Sequence, residues 1–78
     1  MQQAKHVTFR YNVDRIRFLI DENGFTRREV ADACRCSERH LNDVLNNRVA
    51  TARGYMRKRF KDGFRKLLIS EDLSDLFY

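Results

Sequence analysis

The sequence predicts an all-α fold, a compact bundle of about five short helices. The chain of 78 residues has no proline and only three glycines, so few residues oppose helix formation. Apolar side chains recur at three- and four-residue spacing in several segments, which is the period of a helix with one buried face. A chain of this length forms one domain with a thin core and no deep cavity. We therefore expect that the protein is not an enzyme and that it binds no cofactor or small-molecule ligand.

The N-terminal part predicts an arm followed by the first helix. Residues 1–10 lack a helical period and predict a flexible arm, or alternatively a short strand at residues 6–10. The folded domain is expected over residues 11–78. Its first helix is predicted at 11–23, with Asn12 as N-cap and Gly24 available for a left-handed turn at its end. Its apolar stripe consists of Val13, Ile16, Leu19 and Ile20.

Two further helices are predicted from local start signals. Thr26 and Glu29 have the spacing of a capping box, and Phe25 and Val30 that of a hydrophobic staple, which predicts a second helix at 26–34. Ser37 is a suitable N-cap for a third helix at 37–47. The inner stripe of this helix is Leu41, Val44 and Leu45, and its outer face is Glu38, Arg39, Asn42, Asp43 and Asn46.

The C-terminal part predicts a fourth helix at 51–69 and a short fifth helix at 70–77. The apolar spacing stays in phase across Gly63, so one continuous helix is favoured over a break at that residue. The opposite face is strongly basic, which indicates a solvated surface or, alternatively, a second phosphate contact. Ser70 is the predicted N-cap of the last helix.

Charge is unevenly distributed along the chain. The formal net charge is +5, but residues 27–66 contain twelve basic and five acidic residues, whereas residues 71–78 contain three acids and no base. Most of the basic residues are arginine, which suits phosphate and base-edge recognition. A basic middle segment therefore indicates a polyanionic partner.

The two cysteines do not predict a metal site or a disulfide. Cys34 and Cys36 are too close for ordinary disulfide geometry, and a structural zinc ion needs four ligands, whereas only His40 lies nearby. With no long apolar segment and no signal-peptide pattern, we expect a cytoplasmic protein that contacts no membrane.

These motifs resemble those of lambda-repressor/Cro-like (Xre-type) helix-turn-helix domains, which are found in phage repressors and bacterial regulators. The residues that carry the resemblance are Asn23-Gly24-Phe25-Thr26, Val30-Ala31, Cys34, Cys36-Ser37, Leu41 and Val44. The closing residues, LLISEDLSDLF, are also similar to that family. Two positions depart from the pattern, because Arg35 and Asn47 stand where glycine is common.

The resemblance implies a double-stranded DNA partner, a homodimer and a recognition helix at 37–47 whose N-terminal part reads base edges. The implied base-reading residues are Glu38, Arg39, Asn42 and Asp43. The implied phosphate-binding residues are Arg27, Arg28, Asn46, Arg48 and, by proximity alone, Arg53. Part of the apolar C-terminus is expected to complete the core and part to form a dimer contact, with Leu73, Leu76, Phe77 and Tyr78 as candidates.

Two functions remain open from the sequence. The first is a sequence-specific transcription regulator, a small phage or bacterial repressor that acts by occupying its operator in the cytoplasm or nucleoid. The second is a protein-interaction module, antitoxin-like or inhibitory, that keeps the fold without reading DNA. Acids at 38 and 43 and the irregular residue at 35 motivate this alternative. No nucleophile–base–acid set suggests an enzyme.

Overall fold

The computed structural model describes residues 8–78, in which four helices pack around one core beside a small sheet. The helices are α1 (Val13–Asn23), α2 (Arg27–Ala33), α3 (Glu38–Leu45) and α4 (Gly54–Leu67), and the strands are β1 (Thr8–Arg10) and β2 (Thr51–Arg53). The predicted all-α bundle of five helices is therefore wrong in two respects, because residues 8–78 contain a sheet and only four helices.

The sheet joins β1 to β2 in an antiparallel pair. Phe9 pairs with Ala52, and each is the most buried residue of its strand, between exposed neighbours. This alternation is the period of a strand with one covered face. The helical prediction for residues 51–53 is wrong because Ala52 is also in phase with the apolar stripe of α4. Residues 8–10 lie in the segment predicted as an arm or a short strand, and residues 1–7 of that segment lie outside the described residues.

The C-terminal segment is not helical. Leu73 and Leu76 are buried, but turns rather than a helix bring them to the core. The segment instead runs beside β1 and the start of α1, where the Leu76 oxygen accepts a 2.8 Å hydrogen bond from the Asn12 backbone and Tyr78 N donates to the Arg10 oxygen at 2.9 Å. The predicted helix at 70–77 is wrong because two leucines three residues apart satisfy a turn as well as a helix.

Helices α1, α2 and α3 all end in the same way. Each is followed by one residue in the left-handed conformation, namely Gly24 (φ 67°), Arg35 (φ 55°) and Asn47 (φ 62°). In each case the N–H of the left-handed residue and the N–H of the residue after it donate hydrogen bonds to the last turn of the helix. Arg35 N donates to Asp32 O (3.2 Å), and Cys36 N donates to Ala31 O (3.0 Å). This is the Schellman arrangement, which satisfies the last carbonyls of a helix. It turns the chain out of each helix, and so leads α1 into α2, α2 into α3 and α3 towards β2.

The fourth helix is continuous across Gly63 and packs closely on α2. Gly63 is buried, and a Cβ atom there would lie 2.7 Å from Cys34 Sγ and 2.8 Å from the Ala33 carbonyl carbon and oxygen. The glycine therefore sets the close approach of α4 to the end of α2. Beside this contact Tyr11, Phe60 and Phe77 form an aromatic cluster with ring centroids 5.0 to 6.3 Å apart.

Candidate nucleic-acid interface

Helix α3 presents a polar face to solvent because its other face is completely buried. Leu41, Val44 and Leu45 are each at most 1% exposed, and Ser37 Oγ accepts a 3.0 Å hydrogen bond from His40 N at the start of the helix. The cap determines where the helix begins, and the buried apolar stripe determines which face of the helix is turned towards solvent. Three of the predicted base-reading residues are exposed on the outer face: Glu38, Arg39 and Asn42.

Asp43, the fourth predicted base-reading residue, forms an ion pair with Arg48, a predicted phosphate-binding residue. Asp43 is half-buried, and its Oδ1 lies 3.7 Å from Arg48 Nη1. The Arg48 backbone N also donates a 2.8 Å hydrogen bond to the Asp43 oxygen. These two residues occupy the positions of the Schellman turn where a hydrophobic contact is common. Because the Asp43 carboxylate is paired with a cation, it is less available to a base than Glu38, Arg39 and Asn42 are.

The start of α2 carries the predicted phosphate contacts Arg27 and Arg28. Thr26 Oγ1 accepts from Glu29 N at 3.0 Å, and Glu29 Oε1 accepts from Thr26 N at 2.8 Å. The capping box is therefore confirmed, and it already satisfies two free N–H groups of this helix end. An anion beside α2 would consequently be bound mainly by the side chains of half-buried Arg27 and exposed Arg28.

The remaining predicted phosphate contacts lie between α3 and α4. Asn46 is the C-terminal cap of α3, and Arg53 is the residue before the first turn of α4. Among the described residues, no side chain caps that turn and no acidic residue lies in it, so the partial positive charge of this helix end is not offset by a side chain. Asn46, Arg48 and Arg53 are all exposed.

The turn between α2 and α3 contains a cation, Arg35, that the sequence pattern marks only as an irregularity. Arg35 adopts the left-handed conformation that glycine usually supplies, at a cost of about 1–2 kcal/mol. The turn is nevertheless regular. A hydrogen bond connects its backbone to α4, since Arg59 Nη1 donates to the Arg35 backbone oxygen at 3.3 Å. Arg35 lines a groove together with Ala33, Asp62, Arg65 and Lys66.

The residues proposed for a dimer contact are distributed unequally between core and surface. Leu73 and Leu76 are buried in the core of this chain, and Phe77 is half-buried against Tyr11. Tyr78 is 73% exposed, although its hydroxyl donates to Asn12 Oδ1 at 3.1 Å. Of the four candidates, Tyr78 therefore offers the most surface to a second chain.

Arg15 fastens the acidic tail to α1. Its Nε lies 3.1 Å from Asp75 Oδ1, and its Nη2 lies 3.5 Å from Glu71 Oε1 and 3.2 Å from the Asp72 backbone oxygen. Residues 71–78, which carry three acids, are thus held to one arginine on the same chain. This pairing reduces the charge that the tail presents to a polyanion.

The cysteines are arranged as packing residues. Burial raises the pKa of the Cys34 thiol to about 12 and also raises that of Cys36, which keeps both in the unreactive thiol form. Within residues 8–78, no three side chains of His, Cys, Asp or Glu are grouped so that they could hold a metal ion. Over the same residues, no helix has the length and apolar character needed to cross a membrane.

Net charge differs sharply between α3 and α4. Helix α3 contains two acids and one arginine, for a net charge of −1, whereas α4 contains six basic residues and one acid, for +5. The structure brings Arg35 beside the basic residues of α4. The sequence does not indicate this grouping, because it depends on the close packing of α4 on the end of α2 at Gly63, a contact between distant segments.

Comparison of the chain with models of known protein families, with curated proteins and with solved structures found no match.

Proposed function

We propose that this chain is a sequence-specific DNA-binding regulator, a small phage or bacterial repressor that acts in the cytoplasm or nucleoid. The observation that carries the proposal is the outer face of α3, where Glu38, Arg39 and Asn42 are exposed on a capped helix joined to α2 by a regular turn. The likeness of residues 13–48 to lambda-repressor/Cro-like domains supports the same function.

The side chains on this face match the hydrogen-bonding groups of the major groove. Arg39 can donate two hydrogen bonds to the O6 and N7 atoms of guanine, and Asn42 can pair in the same way with adenine. Glu38 can accept from the amino group of cytosine. Arg27 and Arg28 at the start of α2, with Arg48 after α3, would bind the backbone and set the register.

The mechanism is occupancy of an operator. A homodimer places two copies of α3 in successive major grooves about 34 Å apart and excludes polymerase. Tyr78 is the most exposed candidate for the contact between the two chains.

Selection of bound duplexes from a random pool tests the proposal. We expect a palindromic consensus whose half-sites are one helical turn apart. The Arg39→Ala variant should lose about 1–3 kcal/mol on that site and tolerate substitution at one base pair. Arg28→Ala is the matched control, because removal of a phosphate-binding side chain weakens all duplexes alike. Equal loss on selected and random DNA with Arg39→Ala would remove the base-reading role.

A second candidate is a protein-interaction module that uses the same face of α3. It is favoured by the net charge of −1 on that helix and by the pairing of Asp43 with Arg48. An antitoxin-like or inhibitory protein with this face would bind a basic partner. A gel shift against genomic fragments at moderate salt separates the two functions, since this candidate predicts that no fragment is retained.

A further inference from the structure

The positive charge of this protein is concentrated on one helix. The net charge of α4 is +5, equal to that of the whole chain, while the proposed reading helix α3 has −1. Phosphate neutralisation by Lys and Arg supplies much of the affinity of DNA-binding proteins. Helix α3 cannot supply that attraction, so Arg27, Arg28 and Arg48 and any further basic surface must supply it if the chain binds DNA.

The basic residues of α4 have distinct local roles. The guanidinium of Arg57 lies 4.3 Å from the centroid of the Phe9 ring and is half-buried, so it is part of the packing against the sheet. Lys58 and Arg65 both contact Asp62, at 2.9 and 3.4 Å. The hydrogen bond from Lys58 is the main cause that lowers the pKa of the Asp62 carboxyl, so Asp62 is ionised at neutral pH.

Three cations converge in the groove between the α2–α3 turn and the end of α4. Arg35, Arg65 and Lys66 line it together with a single carboxylate, Asp62. The groove therefore has a formal charge of +2 and opens to solvent. It exists because Gly63 lets α4 approach the end of α2, which brings Arg35 beside the last turns of α4.

Arg35 places one edge of the groove close in the chain to the start of α3. Arg35 precedes Glu38 by three residues, which span at most about 11 Å of chain. The major groove is about 12 Å wide, so a cation displaced by this distance from the start of α3 can reach the phosphates that border the groove. An acidic protein would also be attracted, but only a DNA backbone presents phosphates at this distance from a helix in the groove.

We propose that the groove lined by Arg35, Asp62, Arg65 and Lys66 is a second contact for the DNA phosphate backbone, beside the major-groove contact of α3. This inference rests on the proposed DNA-binding function. It assigns sequence discrimination to α3 and a large part of the affinity to the α4 groove. Asp62 lowers the strength of the second contact because it pairs with Arg65, one of the three cations of the groove.

The first test removes charge from the groove. Arg65→Gln combined with Lys66→Gln should weaken binding about tenfold on a selected duplex and on a random duplex of equal length. The slope of log K against log salt concentration should become less steep by about 0.9 for each phosphate that is no longer neutralised. The matched control exchanges the same residues, Arg65→Lys with Lys66→Arg, and should retain most of the affinity. Unchanged affinity and salt dependence in the Gln variant, with its thermal unfolding unchanged, would overturn the inference.

The second test makes the net charge of the groove more positive by removing its one carboxylate. Asp62→Asn should tighten binding to both duplexes and steepen the salt dependence, because it releases Lys58 and Arg65. Asp21→Asn, which makes the same chemical change on the exposed side of α1, should have a clearly smaller effect. Equal effects of the two substitutions would show that only the net charge matters and would overturn the groove as a site.

The two proposals fail in different ways. If the wild-type chain binds selected and random duplexes equally and the Gln variant loses both, sequence-specific regulation is wrong and the groove remains a phosphate contact. If discrimination between duplexes is present and the Gln variant behaves as wild type, only the groove is wrong. If the wild-type chain binds neither duplex, both proposals are wrong.

Discussion

Gly63 lies against Cys34 so closely that a methyl group on its α carbon would come within 2.7 Å of Cys34 Sγ. Such a distance is well inside van der Waals contact, so this pair defines how near α4 can come to α2. The same contact brings Arg59 to the Arg35 backbone oxygen. One glycine in the middle of a helix thus links the packing of the core to the shape of the helix-turn-helix surface.

Replacing this glycine should destabilise the fold. Gly63→Ala gains helix propensity of about 0.8–1.0 kcal/mol, but overpacking of a tight core costs about 1–3 kcal/mol. We expect a net loss in the free energy of unfolding, measured by urea denaturation. Gly54→Ala is the control, because its added Cβ would meet no described atom within 4 Å apart from its chain neighbours and the backbone of its own helix, and it should be neutral or stabilising. A stabilised Gly63→Ala variant would contradict the close packing.

Replacing Arg35 with glycine should stabilise the protein. The left-handed conformation at φ 55° costs an arginine about 1–2 kcal/mol that glycine avoids, and the greater entropy of unfolded glycine offsets part of the gain. We expect an increase of up to about 1 kcal/mol, which corresponds to about 4–8 °C in the unfolding temperature. Arg35→Ala retains the strained backbone and should show no gain. A lower unfolding temperature for Arg35→Gly than for Arg35→Ala would contradict this explanation.

The first three helices could be predicted from the sequence because their start signals are local. Asn12, Thr26 and Ser37 each accept a hydrogen bond from the backbone three residues on, as their positions before apolar stripes suggested. The ends were also indicated by Gly24 and Asn47, which favour the left-handed conformation. Signals that involve residues a few positions apart need no knowledge of tertiary structure.

The sheet and the C-terminal segment could not be predicted in this way. Thr8 pairs with Arg53, 45 residues away, and nothing within either short strand specifies its partner. Ala52 satisfies both a strand and the helical stripe, so tertiary pairing decides between them. Likewise, the exposed outer face of α3 followed from its inner stripe, whereas the groove around Arg35 depends on a contact between distant segments.

Removing the hydroxyl of Tyr11 should increase stability. Tyr11 is 4% exposed, and its hydroxyl is buried without a hydrogen-bond partner among the described residues. A buried unsatisfied polar group costs about 1–3 kcal/mol, so we expect Tyr11→Phe to raise the free energy of unfolding by about 1 kcal/mol. Tyr78→Phe is the control, because its hydroxyl bonds to Asn12 and its loss should be neutral or slightly destabilising. A destabilised Tyr11→Phe would reveal a partner for this hydroxyl.

Stability should fall at alkaline pH because of the buried thiol. The pKa of Cys34 is raised from 9.0 to about 12, so its contribution to stability is complete below pH 9 and is lost as the pH rises towards 12. Under reducing conditions, we expect the free energy of unfolding of the wild type to fall more steeply between pH 9 and 11 than that of Cys34→Ala. A difference of up to about 1.4 kcal/mol per pH unit is the limit for one group. Identical slopes would show that Cys34 does not titrate differently in the folded state.

Asp43 should influence DNA binding through Arg48 and not through a base. Its carboxylate is half-buried and lies 3.7 Å from the Arg48 guanidinium, so Asp43→Asn removes one negative charge from α3 and releases a proposed phosphate contact. We expect tighter binding to selected and random duplexes alike, with an unchanged consensus when selection is repeated. Glu38→Gln is the comparison, because this exposed acid lacks such a pairing among the described residues and should alter the preference at one base pair. A changed consensus for Asp43→Asn would return Asp43 to the base-reading set.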